Sequence, residues 1–211
     1  MHLAGWVHGA RLGQDIVLLD TRKGEYFCLP NGADAFSPSG SDLEILDADL
    51  AADLSDLALL GEPDPLRRAP PPRASLDLGS PPSPRLATRE LLDAVAAYGV
   101  MLRRYYRRPF ADLIAYAAKH RQTAPPREIS ADLVRRVALF RRLLPLAPFP
   151  GVCLYRAFLL LIFLRQAGFD ADWVFGVKTW SFEAHCWLQI GDTVLDDRAE
   201  RLIAYTPIMV V

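Results

Sequence analysis

The chain has 211 residues, of which 51% are apolar and 23% charged, enough apolar material to bury a core and too much for disorder as the main state. The net charge of −1 conceals an asymmetry. Residues 31–65 carry nine acidic side chains and no Lys or Arg, whereas residues 85–142 carry thirteen basic side chains against five acidic ones. That split fits halves that attract each other, a basic stretch that meets an anion, or simply solvated helix faces. No base-reading motif accompanies the basic stretch, so nucleic-acid binding is not expected.

The first residues, MHLAGWVHGARLGQD, lack a basic region followed by a long apolar core, and no signal peptide is expected. Residues 14–30 contain two β-rich runs, Ile16 to Leu19 and Tyr26 to Leu29, around a polar turn with a glycine, which predicts a hairpin. Leu43, Leu46, Leu50, Leu54 and Leu57 then recur at three- and four-residue intervals, predicting short amphipathic helices. A hairpin plus helices makes a small module over residues 1–66. Between Gly61 and Pro84 stand eight prolines, which remove backbone donors and favour extended chain. Residues 67–87 are accordingly expected to be a linker, and residues 88–211 a second domain.

That second domain opens with Thr88, suited to capping a helix whose apolar positions Leu91, Val95, Tyr98, Leu102 and Tyr105 share one face. Another helix is predicted from Ser130, with Leu133, Val137, Phe140 and Leu144 buried, ending at Pro145 to Pro150. The segment CLYRAFLLLIFLRQAGF is apolar on nearly every side and reaches Gly168, as a buried central helix with a glycine C-cap would. Its longest apolar run, Ala157 to Leu164, is far below the roughly 20 residues of a membrane span. ADWVFGVK, EAHCWLQI and TVLDD read as strands, the last two joined by a tight turn at Gly191-Asp192. Helices followed by an antiparallel sheet define an α+β fold class.

Three cysteines at irregular spacings form neither a disulfide framework nor a metal-ligand pattern, and reduced thiols suit a cytoplasmic protein. Cys153 stands where a loop should enter the N-terminus of the buried helix, whose free N–H groups and dipole favour a thiolate. The Cys153 N–H is also a candidate donor to an oxyanion. His185 falls in a later strand on the same face as Trp187, and a neutral imidazole within reach of the thiol can accept its proton. His2, His8 and His120 have no such setting. A carboxylate must then orient the imidazole, and Asp196 and Asp197 are the candidates. Ideal pairing about Gly191-Asp192 places Asp196 on the His185 face, whereas a bulge or bend would favour Asp197. No papain-type glutamine lies six residues before Cys153, where Ala147 stands.

Taken together, Cys153-Leu154 with Arg156, Gly168, Ala184-His185 with Trp187, and the following VLDD resemble the transglutaminase-like cysteine protease of lasso-peptide biosynthesis, the maturation B protein. The resemblance implies a transglutaminase-like, papain-like domain with Cys153 as nucleophile, His185 as general base and Asp197 as orienting carboxylate. Ala157 and Cys186 depart from the family's usual Ser and Ala. The N-terminal VLLDTRKGEYFCLP is similar to the start of a winged-helix-like leader-recognition element, which one branch of the family fuses to the protease. The implied activity is removal of the leader from a precursor peptide before macrolactam closure by a separate, ATP-dependent, asparagine-synthetase-like cyclase. The resemblance implies no directly bound cofactor and no metal, with ATP acting through that partner. Acyl transfer to an amine, and a non-catalytic leader-binding scaffold, are the competing readings.

Overall fold

The computed structural model describes residues 1–39, 42–79, 84–121, 128–147 and 152–211. Pro150 and Gly151, the turn expected before Cys153, lie outside these residues, as do residues 80–83 of the proline-rich segment. The fold is mixed α+β.

Strands β1 (Val7–Leu12), β2 (Asp15–Asp20) and β3 (Glu25–Leu29) form an antiparallel sheet in that order. The expected hairpin is β2–β3, with Leu19 opposite Tyr26. The run Ile16 to Leu19 is continuously apolar because β2 is covered on both faces. Ile16 and Leu18 pack with Leu3, Val7, Phe36 and Leu54, whereas Val17 and Leu19 face the other way into the main core of the chain. A second hairpin follows, β4 (Phe36–Ser39) with β5 (Asp42–Ile45), and then helix α1 (Ala48–Asp56), capped by the Asp47 carboxylate accepting from the Asp49 and Leu50 N–H groups. The leucine spacing thus spans two element types. Leu43 is a buried strand residue, Leu54 is buried in α1, and Leu46 and Leu57 are exposed.

Within the proline-rich segment, Leu76–Asp77 form a short strand, β6. Helices α2 (Thr88–Tyr105), α3 (Phe110–Lys119) and α4 (Ala131–Leu143) precede the buried α5 (Cys153–Arg165). In α2 the expected face is only partly buried: Tyr98 and Tyr105 pack against the main core, but Leu91, Val95 and Leu102 are 43, 63 and 39% exposed, while Ala97 and Met101 are buried. The helix also begins one residue earlier than a Thr88 cap would place it: Ala87 is the N-cap residue, and its N–H donates to the Glu90 carboxylate. Ser130 caps α4 through the Leu133 N–H, and Leu133, Val137 and Phe140 are buried as the spacing predicts.

Tyr155 and the residues from Ala157 to Leu164 are buried and Arg156 is half-buried, which explains why α5 shows so little polar face. Its end is closed by Gly168 at φ +81°, a left-handed position that favours glycine, with the Phe169 N–H bonded to the Leu164 carbonyl. Strands β7 (Asp172–Lys178), β8 (Glu183–Ile190), β9 (Thr193–Val194) and β10 (Thr206–Val210) complete a sheet of order β10-β7-β8-β9-β6, antiparallel except where β6 runs parallel to β9. A four-residue helix, α6 (Ala199–Leu202), lies between β9 and β10.

The N-terminal sheet rests on this larger assembly. β1 lies against β10, the Trp180 indole N–H donates to Asp15 Oδ2 at 2.7 Å, and the rings of Tyr26 and Phe182 stand 5.7 Å apart. Arg67 donates to the Val7 carbonyl at 2.8 Å, and Arg68 and Arg121 converge on Asp172. The connecting segment is therefore bonded to both sides it joins. Among the described residues, no helix is long and apolar enough to cross a membrane.

Candidate active site

Cys153 is the first residue of α5, and its side chain remains partly accessible while the helix behind it is buried. His185 and Trp187 alternate with Cys186 and Leu188 along β8, so the first pair faces Tyr205 and the second faces α5. Opposite His185 the partner strand carries Gly176. A Cβ there would come within 2.6 Å of the Trp187 ring, so the absence of a side chain is what lets Trp187 lie flat beside His185.

The length of β9 decides the rest. It contains only Thr193 and Val194, paired with Ile190 and Gln189, followed by one more backbone bond from the Leu195 N–H to the Leu188 carbonyl. Beyond Leu195 the chain bends away, and the β8 edge is served by side chains. Asp196 Oδ1 accepts from the Leu188 N–H at 2.8 Å. The Cys186 N–H, two residues back and on the same edge, serves the Cys153 sulfur. The bend also carries Asp197 to His185, whose Nε2–H donates to Asp197 Oδ2 at 2.6 Å, the carboxylate being able only to accept. That leaves Nδ1 as the nitrogen for Cys153, with which His185 is hydrogen bonded. Simple pairing parity thus fails at Asp196, because the strand ends before the parity rule can apply.

The electrostatics follow from these contacts. A hydrogen bond from the Cys186 thiol is the strongest influence on Cys153. Against burial, it combines with His185 and the Cys186 N–H to bring the Cys153 thiol down to about 4. Burial alone would depress the His185 imidazolium, but the bonds to Asp197 and Cys153 prevail and raise it to about 9. Burial likewise opposes the Asp197 charge, and the His185 bond with the Arg198 N–H holds that carboxyl below its usual range. Asp196 differs: burial dominates and pushes its carboxyl up to about 6. The arrangement therefore favours a thiolate–imidazolium pair with an ionised Asp197 at neutral pH.

Arg156, one turn into α5, stands 3.7 Å from Asp196 and 3.6 Å from Asp197, tying the helix of Cys153 to the loop of the carboxylates. On its far side Asp197 borders a polar cleft of about 540 Å³, shared with Asp77, Arg141 and Arg201. A more apolar groove of about 200 Å³, lined by residues such as Leu91, Val95, Phe140 and Phe163, includes none of Cys153, His185 and Asp197. Among the described residues no group of His, Cys, Asp and Glu side chains is arranged to hold a metal ion.

Sequence reasoning treated Cys186 only as a departure from a family pattern. It is a buried thiol, pushed well above the ordinary range by burial and by its bond to Cys153, and so remains a donor. Cys186→Ala is expected to raise the Cys153 thiol by about one to two pH units, the worth of one hydrogen bond to a charged group. The pH dependence of Cys153 alkylation measures this directly.

A thiol at the start of a buried helix, a histidine on the sheet behind it and a carboxylate on the bend beyond β9 are the three groups that thiol-based acyl chemistry uses. Residues 94–210 match the family model described as transglutaminase-like superfamily. The match covers more than half of the chain, and the chain belongs to that superfamily. Cysteine-protease and acyltransferase activities are usual in the superfamily. No curated protein and no solved structure matches the chain.

Proposed function

We propose that the chain is a cysteine peptidase that removes the leader from a ribosomally made lasso-peptide precursor. The observation that carries the catalytic part of this reading is the contact series Cys153, His185, Asp197, with His185 bonded to Asp197 at 2.6 Å and the thiol brought down to about 4. In this reading the Cys153 thiolate attacks the carbonyl carbon at the leader–core junction. The tetrahedral intermediate collapses as the His185 imidazolium gives its proton to the leaving amine, leaving a thioester to the leader. A water molecule, deprotonated by His185, then attacks the thioester, releasing the leader carboxylate and restoring the thiolate. The freed core amine is the nucleophile that a separate asparagine-synthetase-like cyclase needs for ATP-dependent macrolactam closure. ATP enters through that partner, and no step in the cysteine chemistry requires a bound cofactor.

The leader-specific part rests on the N-terminal region. Residues 1–66 would act as a winged-helix-like leader-recognition module, residues 67–87 as the connection and residues 88–211 as the catalytic domain. β3 pairs with β2 on one side, and its other edge can take the leader as an added strand, with main-chain bonds supplying affinity. Tyr26 of that strand touches Phe182 at the β7–β8 turn, so a peptide held there lies beside the catalytic half. This packing supports delivery by fixed geometry in addition to tethering.

Mass spectrometry of a cognate precursor peptide incubated with the wild type or Cys153→Ala, each with the cyclase and ATP, tests the reading. Leader carrying a free carboxylate, formed by the wild type alone, is the expected result. An amine adduct on the leader would instead identify an acyltransferase. Leader bound but uncleaved by both proteins would identify a scaffold.

A further inference from the structure

The loop 195–198 carries Asp197 beyond the end of β9, so something other than a strand ladder must hold it. The proline-rich segment does so from both ends. The Leu78 N–H donates to the Val194 carbonyl at 3.0 Å, immediately before the loop. Asp77 Oδ1 accepts from the Ala199 N–H at 2.5 Å, immediately after it. Further back the segment is fastened to the β8–β9 turn. The Ser75 and Leu76 N–H groups donate to the Asp192 carbonyl at 2.8 and 3.2 Å, and Gln189 Nε2 donates to the Pro72 carbonyl at 2.9 Å. Arg141 of α4 donates to the carbonyls of Gly79 and Leu195, joining the strap to the loop from a third side.

Asp77 has a particular part in this arrangement. Ala199 opens α6, and its N-cap residue Arg198 makes no side-chain capping bond. A helix start needs an acceptor for its free N–H groups. Asp77 supplies one from far away in the chain, and two residues before Ala199 is Asp197, whose Oδ2 must stay within 2.6 Å of His185 Nε2. We propose that Asp77 is a positioning residue that acts through the 195–199 loop to hold Asp197 against His185. The proline-rich segment is then a working part of the site as well as a connection. This inference rests on the reading of Cys153, His185 and Asp197 as the catalytic groups.

The test uses the full chain and iodoacetamide as probe, with carbamidomethylation of Cys153 followed by peptide mapping from pH 3 to 10. A displaced Asp197 stabilises the imidazolium less, so the thiolate becomes harder to form. Asp77→Ala is expected to move the acid limb of the profile upward by about one pH unit. Asp77→Asn keeps an acceptor oxygen at the same place and is expected to keep the wild-type limb. If Asp77→Ala does not fold, Asp77→Gln carries the same test, because it displaces the acceptor by one methylene group. A displaced variant with an unmoved acid limb, whatever its melting temperature, overturns the assignment. So does an Asp77→Asn limb that moves as far as that of Asp77→Ala. A wild-type limb near the ordinary thiol value of 9 overturns the underlying thiolate reading, which the first two outcomes leave intact.

Discussion

Replacing Asp197 by Ala is expected to lower kcat by roughly 10³- to 10⁴-fold, whereas Asp196→Asn is expected to stay within about tenfold of wild type. The two carboxylates are adjacent in sequence and both lie within 4 Å of Arg156, yet they do different work. Asp197 Oδ2 accepts the proton-bearing Nε2 of His185 and so fixes which nitrogen is left for the thiol. Without it the imidazole loses both its orientation and the negative charge that stabilises its protonated form. Asp196 Oδ1 holds the Leu188 N–H, a task that an amide oxygen performs equally well. Burial already penalises the Asp196 charge, with its carboxyl raised to about 6, so removing that charge should not unfold the loop. Steady-state cleavage of the precursor by the two variants measures the contrast. Equal losses would mean that the assignment of the orienting carboxylate is wrong.

At pH 5.5 Cys153 is expected to react with iodoacetamide on the order of tenfold faster than exposed Cys28. With its thiol near 4, Cys153 is almost wholly thiolate at that pH, whereas an ordinary thiol near 9 is ionised to only about 0.03%. The resulting advantage of about 3,000-fold is cut by roughly 200-fold, because a more acidic thiol gives a less nucleophilic thiolate. Cys28 is shifted upward by burial and by Asp15, so it serves as an internal reference in the same digest. The order should reverse at about pH 7, where an ordinary thiol is already ionised to roughly one part in 200. The signs for catalysis follow from Cys153 and His185. Cys153 is depressed, and the stability its charge contributes is lost as pH falls through about 4. His185 is raised, and its contribution is lost as pH rises through about 9. The reactive pair is confined to that window, and kcat/KM should fall on both sides of it.

Much of the catalytic half was legible because its residues answer to one strong requirement each. The run from Ala157 to Leu164 is apolar throughout because that part of α5 is buried, and Gly168 ends the helix where a left-handed residue is needed. Strict alternation in β8 put His185 and Trp187 on one face. The orienting carboxylate was less accessible to sequence reasoning, since choosing between Asp196 and Asp197 needs the point at which β9 stops, and pairing parity carries no stop signal. The face of α2 was legible only in part: Tyr98 and Tyr105 pack on the core, whereas Leu91, Val95 and Leu102 are exposed and Ala97 and Met101 are buried. Leu43 kept helical spacing with Leu46 and Leu50 although a strand and a turn separate it from α1. β1 and β10 escaped notice because VHGARL and TPIMV combine apolar residues with glycine or proline and show no clean period. Solvated helix faces were one of three readings of the basic stretch, yet Arg136 is buried, donating to the Phe163 carbonyl and to Asp93. Charge counts alone cannot register a partner supplied by another helix.

The central claim is that Cys153 carries the acyl group between cleavage and release, and intact mass of the protein itself tests it most directly. The wild type, mixed with a cognate precursor, the cyclase and ATP and then quenched rapidly in acid, is expected to gain the mass of the leader less water on the peptide containing Cys153. Cys153→Ala is expected to show neither adduct nor cleavage. Cleavage that proceeds in Cys153→Ala, or in the wild type with an adduct on a different residue, would contradict the account.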